Sequence, residues 1–98
     1  MVYVYVLQSL SDDKFYIGYT GNLRHRFKEH QSGFNPSTKF RRPFELIYYE
    51  AHRSLVDAKR REQYFKTSKG KVSLRLMLRN ALKDRSQDNA FLTSSSSV

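Results

Sequence analysis

Five residues of the chain have side chains suited to one reaction: Tyr5, Tyr16, Arg26, His30 and Glu62. Hydrolysis of a phosphodiester needs a water stripped of its proton, charge stabilisation at phosphorus and help for the leaving oxygen. A tyrosine or a histidine can take the water's proton. The planar fork of arginine matches phosphate oxygens. One carboxylate is enough to anchor Mg²⁺ or Mn²⁺, since such an ion keeps several waters and borrows phosphate oxygens as ligands. Taken singly, each residue has a plainer role. The tyrosines can be core residues satisfied by hydrogen bonds, Arg26 and Glu62 a structural ion pair, and His30 a packing or capping residue near a helix C-terminus.

The pattern of the surrounding residues says which elements must carry them. Asn22 is a good helix N-cap and Gly33 suits a helix end, which predicts a helix between them. Counting i, i+3, i+4 and i+7 from Leu23 gives Leu23, Arg26, Phe27 and His30, so the row that should face a sheet holds two cationic or titratable groups. Ser54 with Asp57 resembles a capping box and opens a second helix over "LVDAKRREQYFKT". There Leu55, Ala58, Glu62 and Phe65 share one face, with Lys59, Arg60 and Lys66 turned to solvent. An unpaired buried charge costs several kcal/mol, roughly. Two helices aiming charge at one sheet are most economically explained by a shared cleft.

The sheet itself is legible in three apolar, aromatic stretches: "VYVYVLQ" (2–8), "KFYIGYT" (14–20) and "FELIYYEA" (44–51). The first reads as a strand covered on both faces. The turn chemistry of "SLSDD" makes a hairpin of the first two; a loop at 9–12 sets Tyr5 opposite Tyr16 and puts both phenols on one face. Gly18 would leave an open floor for close approach of a ligand or backbone. Between helix and third strand lies the loop "GFNPSTKFRRP". Gly70 punctuates the chain before a last helix, "KVSLRLMLRNALKD", with Leu74, Leu78, Ala81 and Leu82 on one side. The order strand, strand, helix, strand, helix, helix predicts an α/β (α+β) fold with a small three-stranded antiparallel sheet framed by helices. It occupies residues 1–84, and the serine-rich 85–98 is expected to be a disordered tail.

A chain of 98 residues makes one modest core. It has no cysteine for disulfides or thiolate metal sites, and no apolar run near the roughly 20 residues that span a bilayer. The N-terminus alternates like a strand and lacks a basic leader, so the expected compartment is the cytoplasm. Net charge is +9, and residues 53–85 hold eleven Lys/Arg against three Asp/Glu. That balance favours a polyanionic partner over a solubility role alone. Lys39, Arg41, Arg42, Arg60, Arg61, Lys66, Lys69 and Lys71 are the candidate phosphate contacts, positioning a strand without reading its sequence.

At these positions the chain resembles the GIY-YIG nuclease domain. The family's first signature stands here as Tyr3-Val4-Tyr5, with Tyr3 and Val4 in place of Gly-Ile, and the second as Tyr16-Ile17-Gly18. The arginine and histidine of the following helix match Arg26 and His30 in "RHRFKEH"; the metal-binding glutamate matches Glu62 in "RREQYFK". The likeness covers roughly residues 1–80 and is greatest to the small stand-alone bacterial members. The family's late asparagine is not carried over to Asn80, because no spacing fixes the match. The resemblance implies divalent-metal-dependent cleavage of DNA. Tyrosine would act as general base or water-positioner, arginine would steady the phosphorane and glutamate would hold the metal. The family includes structure-specific nucleases and an excision-repair subunit, so DNA repair and branched or single-stranded DNA are implied targets, with RNA left open. The rival expectation is a nucleic-acid-binding module of the same fold that does not cleave.

Overall fold

The computed structural model describes residues 1–83; the expected tail at 85–98 lies outside the described residues. Strands β1 (Val2–Ser9), β2 (Phe15–Thr20) and β3 (Phe44–His52) form one antiparallel sheet in the order β2–β1–β3. Between β2 and β3 come helix α1 (Leu23–Ser32) and a 3₁₀ turn (Lys39–Arg41); α2 (Leu55–Lys66) and α3 (Ser68–Met77) follow. Residues 79–83 add a further helical turn. β1 is the central strand, and Val4 to Ser9 form an unbroken buried run, as its continuous apolar sequence predicts.

Alternation along β1 divides the interior into two cores. Val4 and Val6 face Ile17, Ala58, Phe65, Leu74 and Leu78, so α2 and α3 cover that side. Tyr5 and Leu7 face Phe44, Tyr16, Leu23, Phe27 and Leu46, so α1 covers the other. The Gln31 side chain ties α1 to β3, donating to the Phe44 carbonyl at 2.9 Å and accepting from the Phe44 N–H at 2.7 Å. A bulge in β3 breaks the β1–β3 register between Val6 and Leu7, which lets Ile47 and Tyr48 both pack on the α2 side.

The hairpin corrects the expected register. Tyr5 pairs with Gly18, and Tyr16 with Leu7. The turn lies one position later than 9–12 because Ser9 stays in the strand: its N–H donates to the Lys14 carbonyl at 2.9 Å. Its Oγ accepts from the N–H groups of Ser11 and Asp12 at 3.1 and 3.2 Å. Asp13 completes the turn in the left-handed region, φ 62°. A displacement of two residues preserves the face, so the two phenols remain neighbours, with ring centroids 6.3 Å apart.

Three helical expectations also change. Leu55 begins α2 and is 47 % exposed rather than inward. Gly70 lies inside α3 rather than before it, because Thr67 caps that helix by accepting from the Gly70 N–H at 3.0 Å. The glycine is needed for contact: a Cβ there would stand 1.8 Å from the Tyr64 carbonyl oxygen. Ala81 is exposed, whereas Leu74 and Leu78 are buried.

Candidate active site

One cavity of ≈ 260 Å³ is lined by Tyr5, Tyr16, Gly18, Tyr19, Arg26 and Glu62. It opens along β2, where the α1-covered face of the sheet meets α2. The sheet delivers the phenols, α1 delivers Arg26 as the second residue of the row beginning at Leu23, and α2 delivers Glu62 between Ala58 and Phe65. The carboxylate is only 6 % exposed. Gly18 is not an open floor: the Tyr5 ring fills its space, and a Cβ there would fall 2.5 Å from the Tyr5 hydroxyl.

His30 does not line the cavity; it is fully buried behind Tyr5. The Tyr5 hydroxyl is 3.1 Å from His30 Nε2, and His30 Nδ1 is 2.9 Å from Thr38 Oγ1. In the tautomer with its hydrogen on Nδ1, His30 donates to Thr38 Oγ1, whose hydroxyl lies 3.5 Å from the Asn35 carbonyl. Nε2 is then the bare nitrogen, and it accepts the Tyr5 proton. This chain points the phenol's hydrogen inward and its lone pairs toward the cavity. Burial, with the Arg26 charge, holds the His30 pKa below its ordinary 6.5, which keeps the ring neutral. Burial foremost, and then Tyr16, push Tyr5 up to about 12, against the opposing pull of Arg26.

Arg26 and Glu62 are not an ion pair. Arg26 Nε bonds Glu29 at 3.1 Å, and Glu62 bonds Lys66 Nζ at 3.0 Å and Gln63 Nε2 at 3.0 Å. Lys66 is half exposed, and its ammonium neutralises the Glu62 carboxylate from one turn further along α2. Among the described residues no cluster of three His, Asp or Glu is assembled for a metal. A lone, nearly buried carboxylate beside a polar cavity suits a hard ion that brings its own waters, such as Mg²⁺ or Mn²⁺.

The basic residues separate by what holds them. Arg41 Nε pairs with Asp12 at 3.4 Å while its Nη2 donates to the Phe15 carbonyl at 3.2 Å, and Arg61 Nε pairs with Glu50 at 2.7 Å. Arg60 pairs with Asp57 at 3.2 Å, and Arg42 Nε donates to the Lys39 carbonyl at 2.7 Å on an exposed loop. Lys39, Lys69 and Lys71 are exposed. Lys71 and Arg41 share an open concavity with Lys14 and Arg75. Sequence reasoning missed Thr38 and the tie between Lys66 and Glu62, and left Tyr19 as core or groove wall. The tie had a signal in its i, i+4 spacing on one helix; Thr38 had none, since nothing local separates it from the other polar residues of its loop.

Comparison with known proteins gives the family. Residues 1–75 match the family model described as the GIY-YIG catalytic domain. A UPF0213 protein of Clostridium perfringens is 33% identical over 89 residues, covering 90% of this chain and 95% of that one. Another from Staphylococcus haemolyticus is 37% identical over 76 residues, covering 76% and 92%. The solution NMR structure of a UPF0213 protein from Bacillus halodurans is similar in fold, with a TM-score of 0.51 and 34% identity over 79% of this chain and 85% of that one. The chain belongs to the GIY-YIG domain family, alongside its small UPF0213 members.

Proposed function

We propose that the protein is a divalent-metal-dependent endonuclease that hydrolyses phosphodiester bonds in DNA. One observation carries this reading: a single cavity gathers three phenols, a guanidinium and a nearly buried carboxylate, with a histidine hydrogen-bonded behind one phenol. Water in the cavity donates its proton to Tyr5 Oη as the phenol passes its own proton to His30 Nε2. Without that relay a phenol at about 12 would stay protonated at neutral pH and accept nothing. Tyr16, its ring 6.3 Å from that of Tyr5, lines the same cavity and helps orient the water. Arg26 presents its fork where charge develops on the phosphorane oxygens. Glu62 would hold the metal in exchange for the Lys66 ammonium. A bound Mg²⁺ or Mn²⁺ supplies Lewis-acid polarisation of the phosphate and a more acidic water.

A second reading, a non-catalytic nucleic-acid-binding module, is favoured by the Lys66–Glu62 pair, which neutralises the carboxylate from within the chain. Nicking by wild type and Glu62→Gln across a Mg²⁺ and Mn²⁺ titration, with binding followed in parallel, separates the two. The nuclease reading expects metal-dependent cleavage that collapses in Glu62→Gln while DNA binding survives. Absence of cleavage of any DNA or RNA by wild type, with binding retained, selects the module. Equal cleavage by both proteins would remove Glu62 from the mechanism.

A further inference from the structure

Phe34 is 73 % exposed at a position where an aromatic ring usually folds back. α1 ends in a Schellman motif: the Gly33 N–H donates to the His30 carbonyl at 3.3 Å, and the Phe34 N–H to the Glu29 carbonyl at 3.1 Å. An apolar residue just after the left-handed glycine normally packs on the helix's last turn. Here that partner position is Glu29, and Phe34 is left in solvent. Its backbone is nevertheless fixed, because the same loop supplies Thr38 to His30 and turns through bonds from the Thr38 and Lys39 N–H groups to the Asn35 carbonyl, at 3.2 and 3.1 Å.

The exposed ring borders the candidate active site. Phe34, Asn35 and Pro36 line an open pocket of ≈ 280 Å³ together with Arg26 and Glu29. Arg26 also lines the catalytic cavity, so the two spaces share one wall. The pocket is a poor place for a phosphate, since Arg26 is already paired with the Glu29 carboxylate there. It suits a flat, neutral, polarisable group next to a phosphate, and a nucleobase is such a group. The loop continues with Lys39, which lies 4.9 Å over the exposed Phe40 ring, and with Arg42. Aromatic rings interleaved with cations are how proteins hold unpaired strands.

We propose that this pocket takes one unpaired nucleobase of the substrate strand, stacked on Phe34 beside the phosphate that Arg26 contacts. The proposal rests on the nuclease reading of the neighbouring cavity and narrows its substrate: the strand at the site is single-stranded or opened there. A base held in a duplex stack has no free face for Phe34. Stacking on an aromatic side chain is worth about 1–3 kcal/mol per base, roughly five- to 150-fold in affinity.

The test is binding of fluorescent oligonucleotides without divalent ion, so that it does not depend on cleavage. Three probes are used: a single-stranded 12-mer, its blunt duplex, and an abasic sugar–phosphate strand of equal length. Phe34→Ala is expected to weaken the single strand at least fivefold and leave duplex and abasic strand unchanged, while Phe34→Trp retains wild-type affinity. Equal weakening on the abasic strand, or none on the natural strand, would overturn the stacking site. A protein that shows the Phe34 effect but never cleaves would overturn the nuclease reading and keep the site. Binding to none of the probes would overturn both.

Discussion

At the scale of single residues, the Tyr5–His30–Thr38 chain is where small changes should have the largest effects. Thr38→Val leaves the His30 Nδ1–H buried without an acceptor, at a cost of about 1–3 kcal/mol. Chemical denaturation of the variant measures that loss directly. His30 also gives the protein a pH dependence of definite sign. Its folded pKa lies below the unfolded 6.5, so the unfolded chain binds the proton more readily. The stability from the neutral ring is fully present above pH 6.5 and is lost as pH falls through the folded value. Thermal melts of wild type should therefore decline below pH 6.5, and His30→Gln should show a shallower decline. Any cleavage activity should have its acid limb in the same range, because proton acceptance from Tyr5 needs the neutral ring. Gly18→Ala pushes a methyl into the Tyr5 hydroxyl and is expected to reduce turnover by 10²-fold or more, on the order expected for a misplaced reacting group. Metal-dependent nicking per folded molecule reads that effect.

The elements hold one another through a few tight contacts, and those decide which substitutions unfold the protein. Gly70→Ala would gain about 1 kcal/mol of helix propensity but drives a methyl against the Tyr64 carbonyl. The expected net result is destabilisation exceeding the roughly 1–3 kcal/mol of ordinary overpacking, read from the shift in denaturation midpoint. Glu50 plays a comparable role between β3 and α2. Burial alone would raise its pKa, but hydrogen bonds from Arg61, Tyr48 and His52 outweigh it and hold the carboxylate below its ordinary value. Arg61 also lies 4.3 Å over the Phe65 ring. Arg61→Ala should consequently lower the melting temperature.

For the molecule as a whole, charge sets how it meets a partner. With +9 overall, binding to duplex DNA should weaken steeply with salt; about four to six neutralised phosphates give a log–log slope of roughly −4 to −5. Replacing Lys69 and Lys71 together should flatten that slope by about one per lost contact and leave thermal stability unchanged. Arg61→Ala should do the reverse, which separates cations free for phosphate from cations bound to the fold. Titrations of each variant at several salt concentrations check both outcomes. No helix among the described residues is long and apolar enough to cross a membrane.

Local pattern and chemistry were enough to determine the elements and their faces. Asn22, Gly33 and Ser54 are caps that act within four residues, and they bound α1 and start α2 where the sequence reading puts them. Side-chain period fixes which face Tyr5, His30 and Glu62 occupy, and it survives the two-residue displacement in the hairpin because the strand period is two. What acts across the chain could not be read this way. The true register depends on Ser9 bonding across its own turn and to the Arg41 carbonyl at 2.5 Å, a contact 32 residues away. Thr38 reaches His30 only because the loop folds back under α1. Helix period and strand alternation are short-range steric facts carried by each segment alone. Partner choice for a buried polar atom is settled by which distant groups the packed fold brings within about 3 Å, and only the tertiary structure supplies that.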